Sequence, residues 1–128
     1  MTYKVGIFDS GVGGLTVAKS IYQAKLFDEI IYFGDTARVP YGSKNESTII
    51  RYSLEALEFL KNFEINFLIT ACNSVSSCAL PDLKRESNFE VVGVIDAGIK
   101  AVQKIAKIDD NILIIGTKTT INSQLYQM

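Results

Sequence analysis

Short, unbroken apolar runs alternate along the chain with longer segments in which apolar residues recur every three or four positions. Five runs stand out: "YKVGIF" (3–8), "EIIYFG" (29–34), "INFLIT" (65–70), "EVVGVI" (90–95) and "NILIIG" (111–116). They are rich in β-branched residues and do not alternate polar with apolar, which predicts strands buried on both faces. Within 44–63, Ile50, Leu54, Leu57 and Leu60 fall at spacings of 4, 3 and 3, one face of a helix. Ser43 with Glu46 predicts a capping box at its start. Residues 96–108 repeat the period through Ile99, Val102 and Ile105, with Asp96 placed as N-cap. The segment after Cys72 reads as helical but contains Pro81, which predicts a kink or a restart. Strand and helix in alternation imply a doubly wound α/β domain over 1–128: a five-stranded, mainly parallel sheet with helices on both faces.

Ligands of such sheets bind outside the carboxyl ends of the strands. There the sequence reads "FDSGVGG" (8–14), "GDTARVPYG" (34–42), "TACNS" (70–74), "IDAG" (95–98) and "GTKTTINS" (116–123). Asp9, Ser10, Asp35, Tyr41, Cys72, Asn73, Ser74, Thr117 and Thr120 would therefore converge on one edge. Each alone is ordinary as a cap, a turn residue or a packed rim aromatic; together they favour a small polar ligand. A dinucleotide fits poorly. Gly11, Gly13 and Gly14 do not spell G-x-G-x-x-G, and Asp9 sets a carboxylate where a pyrophosphate would lie. A Walker loop fails because no Lys-Ser or Lys-Thr pair follows these glycines.

Cys72 can be read as a packed small hydrophobe or as a reactive group. A Cys-x5-Arg phosphatase loop fails because Cys78 stands where the arginine is needed, and a Cys–His hydrolase is excluded by the absence of histidine. What remains is a thiol where a helix begins. The dipole and free N–H groups there favour a thiolate, which suits general acid–base work. Asn73 and Ser74 could hold a carboxylate or an amine.

Composition narrows the partners. With 48% apolar and 21% charged residues, 128 residues make one folded domain with a substantial core. A net charge of −1 without a basic run gives no expectation of nucleic acid. No 18-residue apolar stretch and no charged leader with an apolar block occur, so a soluble, cytoplasmic protein with reduced cysteines is expected. Two cysteines six apart and no histidine give no expectation of a metal site.

"GIFDSGVGG", "YFGDTARVPYG", "ACNS" and "GTKTTINSQLY", in this order and at these strand ends, resemble the first half of bacterial glutamate racemases across essentially the whole chain. The resemblance implies a cofactor-independent 1,1-proton transfer in which one thiol serves each face of the α-carbon. It implies Cys72 as one of that pair, with Asp9 and Ser10 setting the thiol and holding the substrate amine. Tyr41 and Gly42 would contact glutamate, Asn73 and Ser74 would bind its carboxylates, and Thr117 and Thr120 would contribute. The family more often has threonine where Ser74 stands, which keeps the hydroxyl. It also implies no cofactor, a homodimer in the full-length protein, and a role in supplying D-glutamate for peptidoglycan. The family's second domain, with a Gly-Cys-Thr-His segment and the partner cysteine, has no counterpart in these residues, so the chain is expected to be a fragment that does not racemise by itself. Cys78 lies six residues from Cys72, about 240° around a helix, and is expected to be a packed residue, not the second base. An aspartate racemase of the same superfamily, or a non-catalytic domain that binds an acidic amino acid, are the alternatives.

Overall fold

A computed structural model of the chain describes residues 2–128. The strands are β1 (Lys4–Asp9), β2 (Glu29–Gly34), β3 (Phe67–Thr70) and β4 (Glu90–Gly93). The helices are α1 (Leu15–Ala24), α2 (Glu46–Lys61), α3 (Asn73–Cys78), α4 (Leu80–Arg85), α5 (Ile95–Ile105) and α6 (Lys118–Asn122), with a single 3-10 turn at Thr36–Arg38. The sheet runs β2-β1-β3-β4 and every pairing is parallel, with Ile7 opposite Tyr32 on one side and Ile69 on the other. β1 and β3 occupy the centre because their side chains are apolar on both faces. Val5, Ile7 and Ile69 pack under α1 with Val17, Ala18 and Ile21. Phe8, Leu68 and Val91 pack on the opposite face against Ile49, Leu57 and Leu60 of α2 and Leu83 of α4. The α/β architecture with a parallel sheet and helices on both faces is as the sequence implies.

Four details differ. The sheet has four strands, not five: residues 111–116 form no ladder, and Ile112, Leu113 and Ile115 are 55%, 88% and 86% exposed. An apolar run becomes a strand only where a neighbouring strand takes its backbone groups, and none of the described residues does so here. The N-cap of α2 is Asn45, whose side chain accepts from the Thr48 N–H at 2.9 Å; Ser43 instead reaches the Pro40 carbonyl. The buried stripe of α2 is Ile49, Ser53, Ala56, Leu57 and Leu60, while Ile50 and Leu54 are only partly covered. Ser53 can sit in that stripe because its hydroxyl donates to the Ile49 carbonyl at 2.7 Å, which an apolar periodicity overlooks. Finally, α5 begins at Ile95 with Val94 as N-cap, so Asp96 lies in its first turn, and Val102 and Ile105 on the expected apolar face are exposed. The break at Pro81 is as expected: α3 ends at Cys78 and α4 restarts with Pro81 in its first turn.

Candidate active site

The carboxyl ends of β1 and β3 open into a cavity of about 530 Å³, closed on its far side by residues 39–42 and by Thr117. β1 delivers Asp9 and Ser10 to it, both placed by the end of a strand locked between two neighbours. Asp9 is buried and anchored: its Oδ2 accepts from the Gly14 N–H at 2.7 Å and from the Tyr32 hydroxyl at 3.2 Å. The turn after β1 can bend this tightly because Gly14 has no side chain; a Cβ there would lie 2.7 Å from the Asp9 Cβ and 2.9 Å from the Ala71 Cβ. Glycine is therefore imposed by close approach, not by an unusual backbone angle.

β3 ends at Thr70, and two residues later Cys72 forms the N-cap of α3. Its backbone is extended there, its carbonyl accepts from the Ser76 N–H, and its side chain faces Ser10, with the thiol donating to the Ser10 Oγ at 3.4 Å. Only 8% of the residue is exposed. Ser74 follows in the first turn of α3, and its Oγ lies 2.8 Å from the Thr117 Oγ1. Asn73 is exposed, and its Oδ1 accepts from the Tyr126 hydroxyl at 2.5 Å. Asp9, Ser10, Tyr41, Gly42, Cys72, Asn73, Ser74 and Thr117 all line this one cavity, Thr117 from the N-cap of α6 and not from a strand end. Thr120 does not line it. Thr120 is buried behind Thr117, 3.0 Å from it, and supports the threonine that does.

Tyr41 and Asp35 work behind the rim. Tyr41 is buried among Phe8 and Tyr52, and its hydroxyl donates to Asp35. Burial, and then that hydrogen bond, hold the Tyr41 phenol far above its ordinary range, so it stays protonated. Asp35 also accepts from Arg38 Nε at 2.6 Å, and Arg38 reaches Glu55 of α2 while stacking 3.8 Å over the Tyr52 ring. The stretch 35–41 is thus tied to α2 by an ion-pair chain that no spacing in the sequence announces. Tyr32 and Tyr126 are further missed partners. Tyr32 lies inside the apolar run 29–34, and Tyr126, the last residue of "GTKTTINSQLY", has no spacing that points to Asn73.

Cys78 is outside the cavity. It packs against the core face under α2, and its thiol donates to the Ser74 carbonyl at 3.2 Å. Burial first, and the Glu46 charge second, push its thiol up to about 12. At pH 8 only about one such thiol in ten thousand is ionised, and the thiolate is the reactive form. Alkylation of Cys78 with iodoacetamide at pH 8, followed by peptide mass spectrometry, is expected to run at least a hundredfold slower than on free cysteine. A rate near that of the free thiol would contradict the burial argument.

Among the described residues no group of three or more His, Cys, Asp or Glu side chains is placed to hold a metal ion, and no helix is long and apolar enough to cross a membrane.

No family model matches the chain. Among curated relatives, the glutamate racemase of Nitratiruptor sp. is 60% identical over 126 residues, which is 97% of this chain and 49% of that protein. The crystal structure of glutamate racemase from Campylobacter jejuni superposes with a TM-score of 0.92 at 56% identity, over 97% of this chain and 50% of that one. The chain is similar to glutamate racemases over about half of each. The glutamate racemase of Francisella tularensis, solved in complex with D-glutamate, aligns with a TM-score of 0.86 at 36% identity over 98% of this chain and 47% of that one. The chain spans about half the length of the curated racemases it matches.

Proposed function

We propose that these residues form one α/β unit of an enzyme that interconverts L- and D-glutamate, with Cys72 as the acid–base group for one face of the α-carbon. The observation that carries this reading is the Cys72 thiol at a helix start, beside Ser10, in a cavity also lined by Asp9, Asn73 and Ser74. In the forward direction the Cys72 thiolate takes the α-proton: the C–H bond breaks and an S–H bond forms. The electron pair left on carbon spreads into the adjacent carboxylate, and protonation on the opposite face gives the other enantiomer. Asn73 and Ser74 supply amide and hydroxyl donors to the substrate carboxylates, and Ser10 and Asp9 hold the amine and orient the thiol. No cofactor enters this scheme. Tyr41 and Gly42 hold the rim against the substrate, and Thr117, backed by Thr120, closes the side next to Ser74.

A second proton donor must approach from across the cavity, and Cys78 is no candidate because it points elsewhere. The second half that the relatives have is the natural source, so this chain alone is inactive in racemisation. By the same reading the complete protein is a cytoplasmic homodimer supplying D-glutamate for peptidoglycan. The test is the chain fused to the second half of the Nitratiruptor racemase, incubated in heavy water with L-glutamate, D-glutamate or aspartate while NMR follows the α-proton. Loss of the glutamate signal with at least a hundredfold preference over aspartate is expected. Comparable exchange of aspartate would favour the aspartate racemase reading, and no exchange of either would leave a binding domain.

A further inference from the structure

Asp9 receives a contact that neither the strand-end motifs nor the family resemblance assigns. Tyr32 sits on β2 opposite Ile7, two residues before the pair Asp9–Gly34, so its phenol extends along the sheet toward the turn after β1. Its hydroxyl donates to the Gly11 carbonyl at 2.8 Å and to Asp9 Oδ2 at 3.2 Å, one proton shared between the turn and the carboxylate. Gly34 makes that approach possible. A Cβ at Gly34 would fall 2.3 Å from the Gly11 oxygen and 3.2 Å from the Tyr32 ring, so the strand has been stripped of its side chain where the turn leans over it. Oδ2 then holds both Gly14 N–H and Tyr32 O–H, while Oδ1 of Asp9 has no hydrogen-bond partner among the described residues.

We propose that Tyr32 is a positioning residue: it pins Asp9 Oδ2 to the 11–14 turn, which leaves Oδ1 as the oxygen available to the cavity. The assignment rests on the racemase reading for its consequence in turnover, and on geometry alone for the pinning. Burial, followed by the Asp9 charge and hydrogen bond, pushes the Tyr32 phenol up to about 12, so the proton stays available for donation at neutral pH. Asp9 is held from two sides because a carboxylate with one free rotor would sample several orientations, and misplacement by a fraction of an ångström lowers rate more than affinity.

The experiment is Tyr32→Phe, which removes one oxygen and keeps the ring. In this chain, hydrogen exchange of the Gly14 amide is expected to accelerate about three- to tenfold, because its acceptor is no longer braced. In the fusion to the Nitratiruptor second half, kcat for α-proton exchange is expected to fall by a similar factor with KM changed less than twofold. In an Asp9→Asn background the same substitution is expected to add no further loss, a coupling that a general packing defect would not produce. Unchanged Gly14 exchange overturns the positioning role whether or not the fusion turns over glutamate. Faster Gly14 exchange in a fusion that never exchanges glutamate supports the pinning and sinks the racemase reading instead. A drop in melting temperature with additive losses in both backgrounds overturns the proposal in favour of plain packing.

Discussion

Cys72→Ala in the two-half fusion is expected to lower α-proton exchange of glutamate by about a thousandfold or more, because positioned proton transfer contributes about 10²–10⁴ in rate. The substitution leaves the scaffold nearly untouched. Cys72 packs at the edge of the core, and among the described residues its side chain makes one hydrogen bond, the 3.4 Å contact to Ser10. A melting temperature close to that of the parent should accompany the loss, which separates chemistry from folding. Cys72→Ser makes the sharper comparison: it keeps a donor beside Ser10, yet a hydroxyl is far less acidic than a thiol and should rescue little. Exchange within tenfold of the parent in Cys72→Ala would remove Cys72 from the mechanism.

Gly14→Ala is expected to destabilise the chain by about 2 kcal/mol and to disable the site, with Gly13→Ala as a neighbour that does neither. The contrast follows from space. A methyl group at position 14 would overlap the Asp9 side chain at 2.7 Å and the Ala71 Cβ at 2.9 Å, both fixed by the central strands, whereas one at position 13 meets nothing within 4 Å. Relief requires α1 to move away from the sheet, and the Gly14 N–H then leaves Asp9 Oδ2. Urea denaturation would measure the first effect and glutamate exchange in the fusion the second. Equal stability of the two alanine variants would show that the turn is more compliant than these contacts imply.

What the sequence made legible was set by periodicity and by strand ends. The unbroken run at 29–34 became a strand throughout and the run at 90–95 became one as far as Gly93, and the alternation with helices identified the parallel sheet and hence the edge to search. Asp9, Ser10, Cys72, Asn73 and Ser74 followed from that edge without any contact being known. The misses have physical causes. Residues 111–116 have strand-like composition, but composition cannot supply a hydrogen-bonding neighbour. Asn45 displaced Ser43 as cap because a cap is decided by where the helix bends in, and both residues are good acceptors. Tyr32 and Arg38 act through partners 21 and 17 residues distant, Gly11 and Glu55, and no local pattern encodes such reach. Thr120 carried the right chemistry after the expected fifth strand, yet it lies in α6 and stands one layer back, behind Thr117.

The side of the cavity bearing Thr117 is fastened differently from the strand ends that carry Asp9, Ser10 and Cys72. Neither core cluster draws on residues 96–128, and that stretch meets the pocket chiefly through hydroxyls: Ser74 to Thr117, Thr119 to the Gly42 carbonyl, and Tyr126 to Asn73. Hydrogen bonds of this kind are worth about 1 kcal/mol each, against several for a buried aliphatic face. Floor and side wall of the site therefore belong to different energy scales: the hydroxyl contacts of the wall could be lost one by one while the clusters under Asp9, Ser10 and Cys72, which include none of residues 96–128, stay whole.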